Sequence, residues 1–107
     1  MTTKEEGIRL ARRRVLEADV VLRDPEGRGS VSVRCRDLSL TGLFVYTPAF
    51  VPEGSEFVCE ISVDGTAVAA RGRVARVHHG VDRVGMGIQF VALPASAQRQ
   101  LVELTAA

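Results

Sequence analysis

The sequence reads as an all-β chain: a small six-stranded antiparallel barrel, a C-terminal α-helix covering one end, and a flexible N-terminal arm. Three observations carry that reading. Apolar and polar residues alternate in short runs, as in Val31-Ser32-Val33-Arg34-Cys35-Arg36, where Val31, Val33 and Cys35 share one face. Turn chemistry separates the runs at short intervals, most clearly at Asp24-Pro25-Glu26-Gly27-Arg28-Gly29 and at Asp64-Gly65. Helical periodicity is confined to the C-terminal end, where Ala97, Leu101 and Leu104 fall on one face and Pro94 suits a first turn. A closed barrel hides its strand edges with few residues, which suits a chain of 107.

The elements follow in order. A first strand spans 16–23 and a second 30–36. A polar loop from Asp37 to Gly42 leads to a third, Leu43-Phe44-Val45-Tyr46-Thr47. Two prolines and a glycine make Pro48 to Ser55 a connection. The fourth strand, 56–63, turns Phe57, Cys59, Ile61 and Val63 inward. The fifth runs from Thr66 towards Val77, with Val68, Ala70, Gly72 and Val74 opposite Arg71 and Arg73. At Ala75-Arg76-Val77 the parity inverts, which requires either a bulge or a strand buried on both faces. His79 to Asp82 turns the chain, Val84 to Val91 is the sixth strand, and a helix closes 92–105. The chain is thus one domain, with an arm over 1–15 and a barrel with its helix over 16–107.

Hydrophobic residues make up 46% of the chain and charged residues 25%, a globular composition. No apolar run is long enough to span a bilayer, so no membrane insertion is expected. Met1-Thr2-Thr3-Lys4-Glu5-Glu6 is charged and has no apolar stretch behind it, so the expected location is cytoplasmic. A net charge of +1 argues against bulk affinity for nucleic acid or anionic lipid. Within that balance Lys4, Arg9, Arg12, Arg13 and Arg14 cluster against Glu5 and Glu6 alone, leaving the rest of the chain slightly acidic. Arginine presents a planar fork suited to phosphate and to stacking on bases.

Most candidate sites are excluded by spacing. Cys35 and Cys59 have no second pair to make a zinc site, and their inward parity makes them buried free thiols. His78 and His79 are adjacent, so in a strand they face opposite ways and cannot share a metal; they read as surface or turn residues. Gly85-Met86-Gly87 lies in a strand rather than before a helix and reads as close backbone approach in a narrow barrel. No nucleophile–base pair emerges, so the chain is not read as an enzyme. Two segments remain. Arg9-Leu10-Ala11-Arg12-Arg13 spaces arginines four apart, where they can flank one anionic ligand. Asp37-Leu38-Ser39-Leu40-Thr41-Gly42 joins two strands. Taken singly, the first is an ordinary solvated basic tail and the second ordinary loop chemistry.

Taken together and in order, they resemble the PilZ domain family, bacterial receptors for cyclic di-GMP. That family carries Arg-x-x-x-Arg before its first barrel strand and Asp/Asn-x-Ser-x-x-Gly further on. Arg9 and Arg13 match the first motif; Asp37, Ser39 and Gly42 match the second. Val84-Gly85-Met86-Gly87-Ile88-Gln89-Phe90 is similar to the family's Gly-x-x-Phe strand if Gly87 is the matching glycine. The resemblance covers nearly the whole chain and implies a single-domain receptor with cyclic di-GMP as ligand and no cofactor or metal. Arg9, Arg13, Asp37, Ser39 and Gly42 are the implied ligand-binding residues, with Arg12, Arg14, Arg76 and Gly87 as further candidates. An arginine can grip a phosphate or the guanine O6/N7 edge bidentately. Asp37 can accept from guanine N1–H and N2–H, Ser39 can bond the ligand, and Gly42 permits an approach that a Cβ would obstruct.

Two departures bear on the ligand. Ile8 stands where many strong binders carry a basic residue, which implies one bound nucleotide rather than two. The chain has no tryptophan, and Arg76 or His78 is left to stack on an outer guanine. The implied output is control of motility, pili or biofilm through a downstream protein partner. The alternative is a PilZ-fold interaction module that binds no nucleotide. A nucleic-acid-binding barrel is disfavoured by near-neutral charge and scarce aromatics.

Overall fold

Alternation in the sequence becomes an inside and an outside in the structure. The computed structural model describes residues 14–48, 51–63, 65–81 and 83–105. They form β1 (Arg14–Arg23), β2 (Ser30–Leu38), β3 (Gly42–Thr47), β4 (Glu56–Val63), β5 (Thr66–His79), β6 (Val84–Ala92) and α1 (Ala95–Thr105). The six strands close into an antiparallel barrel in the order β1-β2-β3-β6-β5-β4, with β4 pairing back onto β1. Of the arm expected over 1–15, residues 1–13 lie outside the described residues; β1 is already a strand at Arg14, two residues before its expected start.

The inward positions make one core. Val20, Leu22, Val45, Cys59, Ile61, Met86 and Leu101 are fully buried, and Phe57, Val63, Leu93 and Leu104 pack at its margins. Cys35 and Cys59 are free and buried, and burial pushes both thiols up to about 12. Ala97 and Leu101 are the buried residues of α1, which packs against β5. The helix begins three residues later than the sequence suggests, because β6 continues to Ala92. Pro94 sits just before the helix, and its carbonyl accepts the first helical hydrogen bond, from Gln98 N–H at 2.9 Å. No helix of the described residues is long and apolar enough to cross a membrane.

Two bulges decide what the outer surface presents. The inversion at Ala75 is a bulge: the β5–β6 register shifts between Val74 and Arg76, and both Ala75 and Arg76 are exposed. β5 then continues to His79, so both histidines are in the strand and exposed. Of the three other register shifts, at Val15/Ala18, Arg71/Gly72 and Cys35/Asp37, the one that shapes this surface falls between Cys35 and Asp37 against β3. It absorbs one residue and lets pairing continue to Leu38↔Leu43, so the expected loop shrinks. Asp37 and Leu38 belong to β2 and Gly42 to β3, leaving Ser39–Thr41 as the connection.

The turns use the residues their geometry needs. Val63 pairs with Thr66 across a two-residue hairpin in which Gly65 has φ +83°. The β1–β2 turn is organised by Asp24, whose carboxylate accepts from the N–H groups of Glu26 and Arg28 and from the Arg28 guanidinium. The Arg28 bond above all holds the Asp24 carboxyl down at about 2, below its ordinary 3.8. A depressed folded value means that this contribution is complete above pH 3.8 and is lost as pH falls through about 2. An NMR titration of the Asp24 carboxyl should therefore show a midpoint near 2, and Arg28→Ala should move it back towards 3.8. A wild-type midpoint already near 3.8 would mean that the turn does not depend on this pair.

Candidate functional site

The Asp37–Gly42 segment is bounded by core residues. Leu38 and Leu43 are buried and paired, so the connection between them has both ends anchored. Ser39 is itself buried, and its N–H donates to the Gly42 carbonyl at 2.9 Å. Its hydroxyl accepts from Thr41 N–H at 3.1 Å, meets the Thr41 hydroxyl at 3.0 Å and lies 3.4 Å from the Gly42 carbonyl. The Ser39 side chain therefore holds the connection's own shape. The Thr41 carbonyl accepts from Phe90 N–H at 2.8 Å, which ties the connection to β6.

Gly42 is required by contact rather than by backbone angle. It pairs with Gln89, and a Cβ there would penetrate the Ile88 carbonyl oxygen, which belongs to the β6 backbone and cannot move aside. Beyond it the outward row of β6 is Gly85, Gly87 and Gln89, between the outward residues of β3 and β5. Phe44 pairs with Gly87 and Arg76 pairs with Gly87 from the other side; Tyr46 and His78 flank Gly85 in the same way. These glycines thus face the outer wall, not the barrel interior as close approach would have required. Gly85 makes room for the Phe44 ring, which a Cβ would meet at 2.5 Å, whereas at Gly87 the Arg76 side chain lies at an ordinary 3.8 Å.

The result is a cleft of about 420 Å³ on the outer wall, lined by Ser39, Thr41, Phe44, Arg76, Gly87 and Gln89 among others. Asp37 pairs with Phe44 at its edge and is half-buried. On its other side Asp37 pairs with Val15, and Leu38 pairs with Arg14. The start of β1 is therefore fixed beside the second motif. Of the residues expected to bind, Ser39, Gly42, Arg76 and Gly87 line one cleft and Asp37 adjoins it. Arg14 opens β1, and Arg9, Arg12 and Arg13 lie outside the described residues.

Sequence reasoning did not pick out Phe44, Thr41 or Gln89 as part of a site. The outward parity of Phe44 was visible; what it faces depends on β3 pairing with β6, a strand distant in the chain. No group of three potential metal ligands occurs among the described residues.

The family model of the PilZ domain matches residues 8–107. No curated protein matches the sequence. Among solved structures, the barrel resembles the Bacillus subtilis inhibitor of motility MotI/DgrA, with a TM-score of 0.76 and 15% identity over 87% of this chain and 47% of that one. It resembles Escherichia coli YcgR, solved in complex with c-di-GMP, with a TM-score of 0.74 and 16% identity over 88% of this chain and 42% of that one. The PilZ domain of CeSA from a cellulose-synthesizing bacterium gives 0.67 and 18% identity, over 89% of this chain and 95% of that one. The chain spans less than half the length of the MotI and YcgR chains, and at these identities the likeness is one of fold.

Gly42→Ala should destabilise the barrel, because the clash is with backbone and the strands must part to relieve it. Overpacking of this kind costs about 1–3 kcal/mol or more, readable as a fall in the denaturant midpoint. Gly87→Ala, whose Cβ would meet only the Arg76 side chain at an ordinary 3.8 Å, should leave that midpoint nearly unchanged. Equal effects at the two glycines would show that β3 and β6 are not held in close register.

Proposed function

This chain belongs to the PilZ domain family, and from that premise we propose that it is a receptor for cyclic di-GMP rather than an enzyme, binding through Arg9, Arg13, Asp37, Ser39 and Gly42. The observation that carries the reading is the register at the start of β1. Arg14↔Leu38 and Val15↔Asp37 join the chain that bears Arg9 and Arg13 to the barrel beside the second motif. The residue that follows the first motif thus lies beside the second, which supports a site shared by both. That the Escherichia coli YcgR structure of the same fold is a c-di-GMP complex supports the same ligand.

The chemistry divides among the residues. Arg9 and Arg13 meet phosphate and guanine edges through forked, charge-assisted bonds. Asp37 accepts from the guanine N1–H and N2–H. Ser39 acts by shaping the connection, since its hydroxyl already bonds Thr41. Gly42 keeps β3 against β6, so that the floor of the cleft is continuous. Arg12 and Arg14 flank the first motif, and Arg76 over Gly87 supplies a guanidinium plane on which a base stacks. Contacts from Arg9 and Arg13 fasten the arm ahead of β1 to the barrel, and the surface so formed is what a downstream protein partner reads. The regulated process is one of motility, pili or biofilm, in a cytoplasmic setting.

Calorimetric titration with cyclic di-GMP, with GTP as control, tests the reading. Losing a hydrogen bond to a charged group costs about 1.5–3 kcal/mol, so Arg9→Ala and Arg13→Ala should each weaken binding roughly tenfold to over a hundredfold. Asp37→Ala should lose binding with little change in unfolding. Amide exchange over residues 7–15 should slow when ligand is added. Absence of heat and of amide shifts with wild-type protein at high ligand concentration would establish instead the interaction module that binds no nucleotide.

A further inference from the structure

A second cleft, of about 330 Å³, adjoins the first along the outer wall and shares Phe44 and His78 with it. It is lined by Phe44, Tyr46, His78, Arg83 and Gly85, with the Phe44 ring packed over Gly85. Gly85 and Gly87 are two residues apart in β6, so the two clefts are offset by only about 7 Å along the strand. The Phe44 ring stands edge-on to Tyr46 at 5.4 Å between centroids and tilted against His78 at 6.0 Å. Aromatic rings therefore line the junction of the two clefts, set at angles to one another.

The charges around it are distributed unlike those elsewhere on the barrel. Arg23 meets Glu60, Arg28 meets Asp24, Arg34 meets Asp19, and Arg71 and Arg73 meet Glu56. Arg36, Arg76 and Arg83 meet no carboxylate among the described residues; Asp82, in the adjoining turn, lies outside them. Arg36 instead donates to the Tyr46 hydroxyl at 2.9 Å, and the Arg83 guanidinium carbon lies 3.6 Å from the Tyr46 ring centroid. One tyrosine thus carries an arginine on its face and another at its hydroxyl. A guanidinium held flat on an aromatic ring offers a second flat cationic face to a further ring.

Resting on the reading above, we infer that this second cleft is a base subsite for the same ligand. One half of the cyclic dinucleotide sits at Asp37 and Gly42. The other half crosses Phe44, and its purine stacks at Arg83 and Tyr46 while Arg36 and Arg76 face the dianionic ring. The Phe44 ring, seated over Gly85, is the surface the ligand crosses, and the arginines that meet no carboxylate among the described residues lie where its charge would be.

The test is a cyclic di-GMP titration of wild type, Arg83→Ala and Arg99→Ala. Arg99 is exposed on α1, away from both clefts, and controls for the same loss of charge. Arg83→Ala should weaken binding at least about fivefold, the lower end of what a stacked base is worth, and Arg99→Ala should not. Ligand should also shift the amides of Tyr46 and Gly85 in wild type. Tyr46→Leu, which keeps an apolar side chain but removes the ring, should weaken binding as Arg83→Ala does. Wild-type affinity in Arg83→Ala, or equal losses in Arg83→Ala and Arg99→Ala, would overturn the subsite while leaving the receptor reading standing. Failure of wild type to bind at all would overturn both.

Discussion

Everything on the wall that carries the clefts depends on β3 lying directly against β6 at Gly42, where no side chain can be interposed before the Ile88 carbonyl. That pairing joins strands far apart in sequence and closes the barrel on that side. It sets Phe44 opposite Gly87 and Tyr46 opposite Gly85, which creates the clefts. It also brings the Thr41 carbonyl to Phe90 N–H, fixing the β2–β3 connection from outside as Ser39 fixes it from within. A glycine in a motif is usually explained by what it lets a ligand approach. Here the first thing it admits is another strand.

The outer surface is divided by this arrangement. On the walls made by β1, β2, β4 and the first half of β5, arginines and carboxylates face each other across strands, and Glu56 and Glu60 are held below the ordinary carboxylate range by hydrogen bonds from Arg71, Arg73 and Arg23. These exposed pairs add little to stability, but they neutralise the surface locally. The wall around β6 has glycines where the others have ion pairs, and aromatic rings beside them. Among the described residues, this wall leaves Arg36, Arg76 and Arg83 without a carboxylate partner.

The same segment serves both core and site. Leu38 and Leu43 are buried on either side of Ser39–Thr41, and the Cys35 thiol donates to the Asp37 carbonyl at 3.1 Å. No buried side-chain polar atom among the described residues lacks a partner. A connection whose two ends are anchored in packed apolar residues holds its polar groups more precisely than a free loop does. The bulge between Cys35 and Asp37 is part of that device, because it turns Asp37 to the edge of the cleft while Leu38 remains inside.

Much of this was legible in the residues themselves. Parity assigned Val33, Cys35, Cys59, Ile61, Val68 and Val74 to the core, and all are buried, because a strand with one wet face has only one way to satisfy its apolar side chains. The broken parity at Ala75 marked a bulge, though not which of two remedies the chain adopts. The two motifs and their order identified the family. What depended on the folded chain was adjacency between strands remote in sequence. Nothing in Gly85-Met86-Gly87 says that its glycines face outward beneath Phe44 and beside Arg76, and nothing in Asp37-Leu38 says that the strand continues through both. Alternation specifies the face a side chain occupies, whereas neighbours across a barrel are set by register, and register here follows from four shifts along the strands and from one glycine that lets β3 meet β6.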